Sequence, residues 1–578
     1  MATVADHVIT ALHTSGIRRI YGLPGDSLNG FTDALRRAGT ISWEHVRHEE
    51  TAAFAAAADA ALTGQLAVCA GSCGPGNLHL INGLFDAQRS RVPVLAIAAH
   101  IPRTEIGSEY FQETHPQDLF RDCSVYTELV STPEMLPRIL HMAMRAAVEE
   151  RGVAVVVIPG EIFLQKAAPT AWQSRPVLAT ESVVRPDDES LRKAAAMLDE
   201  ARAVTILGGA GVAGAHDELV AFAGALKAPV VHALRGKEFI EYDNPFDVGM
   251  TGLLGFASGY KAIEECDTLL MLGTDFPYQQ FYPENARVIQ LDVRGAHLGR
   301  RTPIDLGLVG TVKDTLPVLQ SMLRPKTDTT HLDRSLQHYR KTRAALDKLA
   351  ANDRDRAPIR PEYLAGAVNR LAADDAVFTT DVGSPVVWAA RYLTMNGRRR
   401  LLGSFNHGTM ACALPHAIGA QTAQRDRQVV ALAGDGGLTM LFGDLITLTQ
   451  NKLPVKLVIF NNSSLNFVEL EMKAAGIVNF GTDLVNPNFA AVAEAMGIFG
   501  RRVEQPGDLE QALADAFATD GPAVVDVVTA RQELSIPPAI TAEQAKGFSL
   551  YAIRTILAGR SDELLDLVTT NVKRRILD

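Results

Sequence analysis

At roughly 150 residues per domain, 578 residues make three or four domains, and 47% apolar with 21% charged residues is the makeup of globular protein that can bury large cores. A net charge of -10 with no long basic run argues against a nucleic-acid surface, because phosphate binding needs clustered Lys and Arg. The five cysteines (Cys69, Cys73, Cys123, Cys266, Cys412) are odd in number and set in apolar segments, which argues against a disulfide framework and fits a reducing interior; no second Cys or His pair completes a zinc set around Cys69 and Cys73.

The N-terminal MATVADHVITALHTSG reads as an amphipathic helix without the charged start and apolar core of a signal peptide, and no run reaches the roughly 18 apolar residues of a membrane span. A cytoplasmic protein is expected, unless its surface carries a membrane contact. The next stretch, RHEETAAFAAAADAAL (Arg47 to Leu62), has the composition of a buried helix. Glu49 and Glu50 at its start both suit a helix dipole, so the stretch alone does not separate structure from chemistry.

From there short apolar runs alternate with helical patterns. LAVCAG, VPVLAIAA, VAVVVIP, AVTILGG, APVVHAL, TLLMLG, RVIQLD, AVFTTD, VVALAGD, VKLVIFNN and AVVDVVTA each carry several aliphatic residues, and most end in Gly, Asp, Asn or Pro. These are the marks of buried parallel strands, and the rhythm is α/β, doubly wound. Lys166 to Glu189, rich in Pro, Ser and Thr, reads as a linker, and Pro325 to Asp333 as a second one before a charged helix. After Val528 the strand rhythm stops. The expected organisation is three doubly wound parallel-sheet domains, 1–182, 183–334 and 335–530, followed by a helical tail, 531–578.

Within the second domain, AVTILGGAGVAGAH holds Gly209-x-Gly211-x-x-Gly214 between a strand and a helix. Alone this is a nicotinamide-dinucleotide fingerprint, but no acidic residue closes the unit about 20 residues later, so nicotinamide binding is not expected. In the third domain, ALAGDGGLTM (431–440) ends a strand in Gly434-Asp435-Gly436-Gly437, and KLVIFNNSS (456–464) ends another in Asn461-Asn462. Asp435 and Asn462 are 27 positions apart, room for strand, helix and adjacent parallel strand, so both side chains fall at the carboxyl ends where such sheets bind ligands. A carboxylate and an amide oxygen are hard ligands suited to Mg²⁺ completed by phosphate oxygens, and the glycines let backbone amides approach an anion. In the tail, Leu564, Leu567, Val568 and Val572 share a helical face ahead of Lys573, Arg574 and Arg575. A basic amphipathic end can lie on an anionic membrane surface, or pack a subunit.

The spaced G-D-G and N-N pair resembles the signature of thiamine-diphosphate enzymes. RHEE, CAGSCGPGNLHLINGLFDA, IAAHIP, EIGSEYFQETHPQDLF, VHALRGKE, YDNPFDVGMTGL and AKGFSLY are similar, across all domains, to the membrane-associated pyruvate dehydrogenases that reduce quinone, also called pyruvate oxidases. The sequence departs from that pattern at Asn466, usually Gly, and at Glu469, usually apolar.

The resemblance implies a pyrimidine-binding, an FAD-binding and a diphosphate-binding domain plus a membrane-binding, autoinhibitory tail. It makes Glu49 the acid that hydrogen-bonds the aminopyrimidine and shares a proton with it. It assigns Asp435, Asn462 and the Ser464 carbonyl to Mg²⁺. Thiamine diphosphate then lies among Gly408, Thr409, Met410, Gly436, Gly437, Ser463, Leu465, Asn466, Phe467 and Val468, with Met410 beneath it and the Gly408 carbonyl on its 4′-amino group. Phe111, Gln112, Phe467 and Glu471 fall near the substrate. FAD lies along Thr251, Gly252, Leu253 and Leu254, along Thr274, Asp275, Phe276, Pro277 and Tyr278, and at Asp292, whose strand-end carboxylate suits ribose hydroxyls.

The implied reaction takes pyruvate, water and quinone to acetate, CO₂ and quinol in a homotetramer on the cytoplasmic face of the membrane. A carboligase of the acetolactate synthase kind and an oxygen-dependent oxidase making acetyl phosphate are the alternatives. The carboligase branch usually has a Trp after the N-N turn, and NNSSLNFVELEMK has none.

Overall fold

The computed structural model describes residues 2–169, 172, 175–180, 182–351, 357–531, 533 and 550. Eighteen strands form three parallel six-stranded sheets flanked by helices. The first holds β1 (Arg19–Gly22), β2 (Ser42–His45), β3 (Ala67–Gly71), β4 (Val94–His100), β5 (Tyr126–Leu129) and β6 (Val153–Pro159), in the order β2-β1-β3-β4-β6-β5.

The second holds β7 (Val204–Gly208), β8 (Val230–His232), β9 (Asp247–Met250), β10 (Thr268–Leu272), β11 (Arg287–Asp292) and β12 (Leu306–Val309), ordered β12-β11-β10-β7-β8-β9. The third holds β13 (Val377–Thr380), β14 (Arg400–Gly403), β15 (Val429–Gly434), β16 (Lys456–Asn461), β17 (Phe499–Val503) and β18 (Ala523–Val528), ordered β14-β13-β15-β16-β18-β17. The first and third sheets thus share one topology. The middle sheet winds outward both ways from β7 and β10, the order of dinucleotide-binding sheets, whose ligand crevice lies at that reversal.

All eleven expected strands are present. Six of the seven that the sequence reading did not pick out (β2, β5, β9, β12, β14, β17) are the six sheet edges. Interior strands are covered on both faces and so are continuously apolar; an edge strand such as Tyr126–Leu129 is half-exposed and carries Thr and Glu. The second linker is shorter than expected. The charged helix begins at Thr330, where Asp328 accepts the Thr330 N–H at 2.9 Å and Asp333 takes the Thr329 hydroxyl at 2.7 Å, so the last residues read as linker belong to the helix and its start.

The Glu49–Thr63 helix is buried nearly all round. Its alanines face the Pro75–Ser90 helix on one side and the Ala413–Ala423 helix of the third domain on the other, and one hydrophobic core runs from β3 and β4 through these helices to β15 and β16. Gly419 makes the close approach possible: a Cβ there would sit 2.1 Å from the Ala55 carbonyl oxygen. Polar contacts fix the register. His416 Nε2 and Asp86 Oδ2 are 2.9 Å apart, and Asp444 accepts the Thr51 hydroxyl at 2.6 Å and the Arg47 N–H at 2.7 Å.

Candidate active site

Glu49 is the first residue of its helix and 4% exposed. Its Oε2 lies 2.9 Å from His79 Nδ1, and His79 stacks on the capping His48 with ring centroids 4.2 Å apart. The carboxylate rests over the turn into the Pro75–Ser90 helix, where a Cβ on Gly76 would come within 3.0 Å of Oε1. Gln112 closes the other side of that turn: it packs on Gly74, its Oε1 accepts the Cys73 thiol at 3.2 Å, and its backbone has φ 63°. Phe111 beside it is 77% exposed. Glu50 points elsewhere, accepting Asn82 Nδ2 at 2.7 Å. Asn82 in turn reaches Thr409 Oγ1 at 3.3 Å and His407 Nε2 at 2.8 Å.

In the third domain the candidate groups gather after the carboxyl ends of β14, β15 and β16, the first separated from the adjacent other two by β13. Gly408, Thr409 and Met410 follow β14, Asp435 to Gly437 follow β15, and Asn462 to Val468 follow β16. Asp435 is 3% exposed. Its Oδ1 accepts the Gly436 N–H at 2.8 Å, and its Oδ2 accepts the Ser463 N–H at 2.7 Å and Asn486 Nδ2 at 2.8 Å. Burial pushes its carboxyl above the usual range against those donors, and among the described residues no Lys or Arg pairs with it.

Asn462 Oδ1 accepts the Ser464 N–H at 3.1 Å, and Leu465 lies over Gly436. Phe467 is half-buried against the third-domain core, whereas Val468 and Glu471 are exposed. Three non-glycine residues with left-handed backbones, Gln112, Ala411 and Ser463 (φ 63°, 65° and 56°), sit at these turns, and such conformations persist where the surroundings impose them. Among the described residues no hydrogen bond or ion pair joins Glu49 or His79 to Asp435, Asn462 or Ser464, although Asn82 links Glu50 to Thr409. No cluster of three or more His, Cys, Asp or Glu able to hold a metal occurs among the described residues either, so a cation here would take amide and carbonyl oxygens besides Asp435.

The middle sheet brings two of its three candidate segments into contact: Phe276 and Tyr278 after β10 lie against Gly252 after β9. Thr251 and Thr274 are buried, Leu253 and Leu254 are half-buried, and Pro277 is exposed. Asp275 is held by Arg300 and, at 3.2 Å, by Arg301 Nε. Asp292 ends β11, accepting the Arg294 N–H at 2.9 Å. The glycine fingerprint is used for packing: Gly211 donates its N–H to the Gly273 carbonyl at 2.9 Å, and a Cβ on Gly211 would lie 2.6 Å from Gly273 Cα. A nicotinamide reading of that motif finds no support.

Several residues at the site escaped the sequence reading. Asp381, at the end of β13, is buried and pushed up to about 6 by that burial; it accepts the N–H groups of Ala413 at 2.8 Å and Gly434 at 3.2 Å. A Cβ on Gly437 would sit 2.3 Å from Asp381 Oδ2, so this glycine is needed for the carboxylate's approach. The signal was there in AVFTTD, which ends like ALAGD. Asn486 joins Asp435 to Asn461, whose Oδ1 it reaches at 3.0 Å. Arg91 and Arg294 lie near Asp292, and Arg235 lies near Arg91. Burial, then Arg91, lowers Arg235 to about 10, and burial, then Arg294, lowers Arg91. Cations that depress one another suit an anion such as a diphosphate.

Three family models match in order along the chain: the N-terminal TPP binding domain of thiamine pyrophosphate enzymes over residues 2–119, the central domain over 191–319 and the C-terminal TPP binding domain over 381–527. Among relatives aligned over most of the chain, a Bacillus subtilis protein described only as thiamine pyrophosphate-containing is 37% identical, covering 98% of both chains. A pyruvate oxidase of Lactiplantibacillus plantarum is 31% identical over 90% of this chain and 87% of its own. The large subunit of acetolactate synthase isozyme 2 of Escherichia coli is 31% identical over 90% of this chain and 95% of its own. With the strand-end acid, the N-N turn and all three domain models in sequence, the chain belongs to the thiamine pyrophosphate enzyme family.

Proposed function

We propose that this enzyme decarboxylates pyruvate oxidatively to acetate and CO₂ and passes the electrons through FAD to a membrane quinone. The observation that carries the redox reading is where the helix after the N-N turn leads. Phe467 on that helix and Leu254 of the candidate flavin loop both pack on the third-domain core, Arg391 of that domain donates to the Leu254 carbonyl at 3.1 Å, and burial, then the Glu471 carboxylate, push the Tyr278 hydroxyl up. A group seated at the Asp435–Asn462 turn therefore has the candidate flavin loops as its neighbours. The pyruvate oxidase relative supports pyruvate as donor. The acetolactate synthase relative supports the carboligase as second reading, against which stands the missing Trp.

Thiamine diphosphate supplies the nucleophilic carbon and the electron sink for loss of CO₂. The chain's own residues do the rest. Asp435, Asn462 and the Ser464 carbonyl would hold Mg²⁺, for which a buried carboxylate with no cationic partner is a fitting donor. His79 and the Gly76 turn hold the Glu49 carboxyl, which would share a proton with the pyrimidine when the cofactor is bound. Gln112 and Phe111 flank that turn and would bound the pyruvate pocket together with Phe467. Asp292 and the nearby arginines fit the ribose and diphosphate of FAD. With no bond between Glu49 and the Asp435 turn within one chain, a second copy would complete the site, and the family resemblance makes the assembly a homotetramer.

Adding pyruvate without oxygen to FAD-loaded enzyme is expected to bleach the flavin, with fast reoxidation by a water-soluble quinone and slow reoxidation by air. Flavin that stays oxidised while acetolactate accumulates would instead establish the carboligase. Localisation at the cytoplasmic face of the cell membrane, with a cytoplasmic resting form, rests on the tail; its basic amphipathic stretch lies outside the described residues. No described helix is long and apolar enough to cross a membrane. Removing the last twenty or so residues is expected to abolish stimulation by anionic phospholipid vesicles, and undiminished stimulation would refute this role of the tail.

A further inference from the structure

The two positions that depart from the family pattern meet in one network. Glu469 lies in the first turn of the Asn466–Ala474 helix and is completely buried. Its Oε1 is 2.6 Å from Lys473 Nζ, and that side chain is buried too. Its Oε2 accepts the Ser464 hydroxyl at 2.5 Å and lies 3.3 Å from Arg531 Nη2. Asn466, the other departure, donates from Nδ2 to the Arg531 carbonyl at 2.8 Å and accepts the Ser384 hydroxyl at 3.1 Å.

The backbone around Ser464 is pinned from the opposite side. Ser464 bridges Asp483 in antiparallel fashion, the Leu465 N–H donates to the Thr482 carbonyl at 2.8 Å, and the Leu484 N–H donates to the Ser463 carbonyl at 3.0 Å. Arg531 also pairs with Asp483, so it spans both sides of this bridge. Three residues on, Asn486 donates to Asp435.

A buried ion pair is a weak source of stability, because desolvation offsets the attraction, and a well-packed apolar pair holds a helix as firmly. An apolar pair offers no acceptor to the Ser464 hydroxyl, however. With the side chain of Ser464 held by Glu469 and its backbone by Asp483, the direction of its carbonyl is fixed before any cation arrives. Outer partners of this sort orient metal ligands.

We propose that Glu469 is a positioning residue for the metal-binding turn. Through the Ser464 hydroxyl it sets the Ser464 carbonyl, while Lys473 and Arg531 hold Glu469 in place. This rests on the reading of Asp435, Asn462 and Ser464 as the metal turn.

The test uses full-length, FAD-loaded protein saturated with thiamine diphosphate and reads metal affinity directly, from the electron-spin signal of free Mn²⁺ during a titration. Replacing the pair by apolar residues (Glu469→Leu with Lys473→Met) and, separately, Ser464→Ala are each expected to weaken Mn²⁺ binding by roughly 10–100-fold. Flavin content should stay unchanged, and in the apolar pair turnover should recover at saturating metal. Combining all three changes should weaken binding no further than either set alone, because they remove one interaction. Native affinity in the apolar pair, or losses that multiply on combination, overturns the proposal. Should the apolar pair not fold, Ser464→Ala decides alone, and native affinity there is equally fatal. A native enzyme that binds no Mn²⁺ with thiamine diphosphate would overturn the metal reading itself, an outcome distinct from any difference between variants.

Discussion

Asp435→Ala is expected to lose measurable metal-dependent binding of thiamine diphosphate, a larger defect than the roughly 10–100-fold typical of removing an outer partner of a metal ligand. Asp435 is the single carboxylate of the turn, and its neighbours Gly436, Ser463 and Asn486 all donate to it. Deleting it takes away the charge that a divalent cation needs and leaves three donors facing one another. Isothermal titration with Mg²⁺ and thiamine diphosphate reads the affinity, and flavin absorbance and the melting curve report whether the fold survives. Binding within tenfold of the native protein would show that the cation sits elsewhere.

For Glu49→Gln the expected loss is in turnover, roughly 10²–10⁴-fold, the range carried by a positioned acid or base. Cofactor binding, flavin content and melting temperature should change little, because the amide keeps the shape of the carboxyl over the Gly76 turn. Glu50 is the internal control. It has the same helix-dipole environment, but its carboxylate is engaged by Asn82, so Glu50→Gln should disturb the Asn82 contacts to Thr409 and His407 and cost far less. Rapid mixing with pyruvate and observation of flavin reduction separates the two variants. Equal losses would return both acids to a structural role at the helix start.

Most of the framework could be read from the sequence because interior parallel strands are apolar on both faces. The edges could not, since five of the six are partly exposed and the sixth, β9, is buried but short and holds Asp247 and Gly249. β1 is the exception, an interior strand, Arg19–Gly22, that opens on a polar residue and holds only Ile20 and Tyr21 before its glycine. At the site the same division holds. Asp435 and Asn462 were legible because a strand end fixes where each side chain goes. Asp381, at a strand end too, carried the same signal unread, whereas Asn486, Arg91 and Arg294 gave none, because their partners lie tens to hundreds of positions away: Asn486 works through Asp435 and Asn461, and Arg91 of the first domain meets Arg294 of the second. The middle-domain glycines match a nucleotide fingerprint in spacing, the missing acidic residue argued against that reading in the sequence, and the contact with Gly273 shows what Gly211 does here.

The packing of the Glu49–Thr63 helix against the Ala413–Ala423 helix has a consequence for how the protein is made. The second partner leaves the ribosome 350 residues after the first is complete. At about 5–20 residues per second, the alanine face spends on the order of tens of seconds without its partner. The first domain therefore emerges with a sticky flank during synthesis. Alanine is a mild choice for such a flank, since each methyl exposes little apolar area while the helix waits. Chaperone engagement of stalled nascent chains is expected to fall off once the polypeptide extends past Ala423, and not when the first sheet alone is complete.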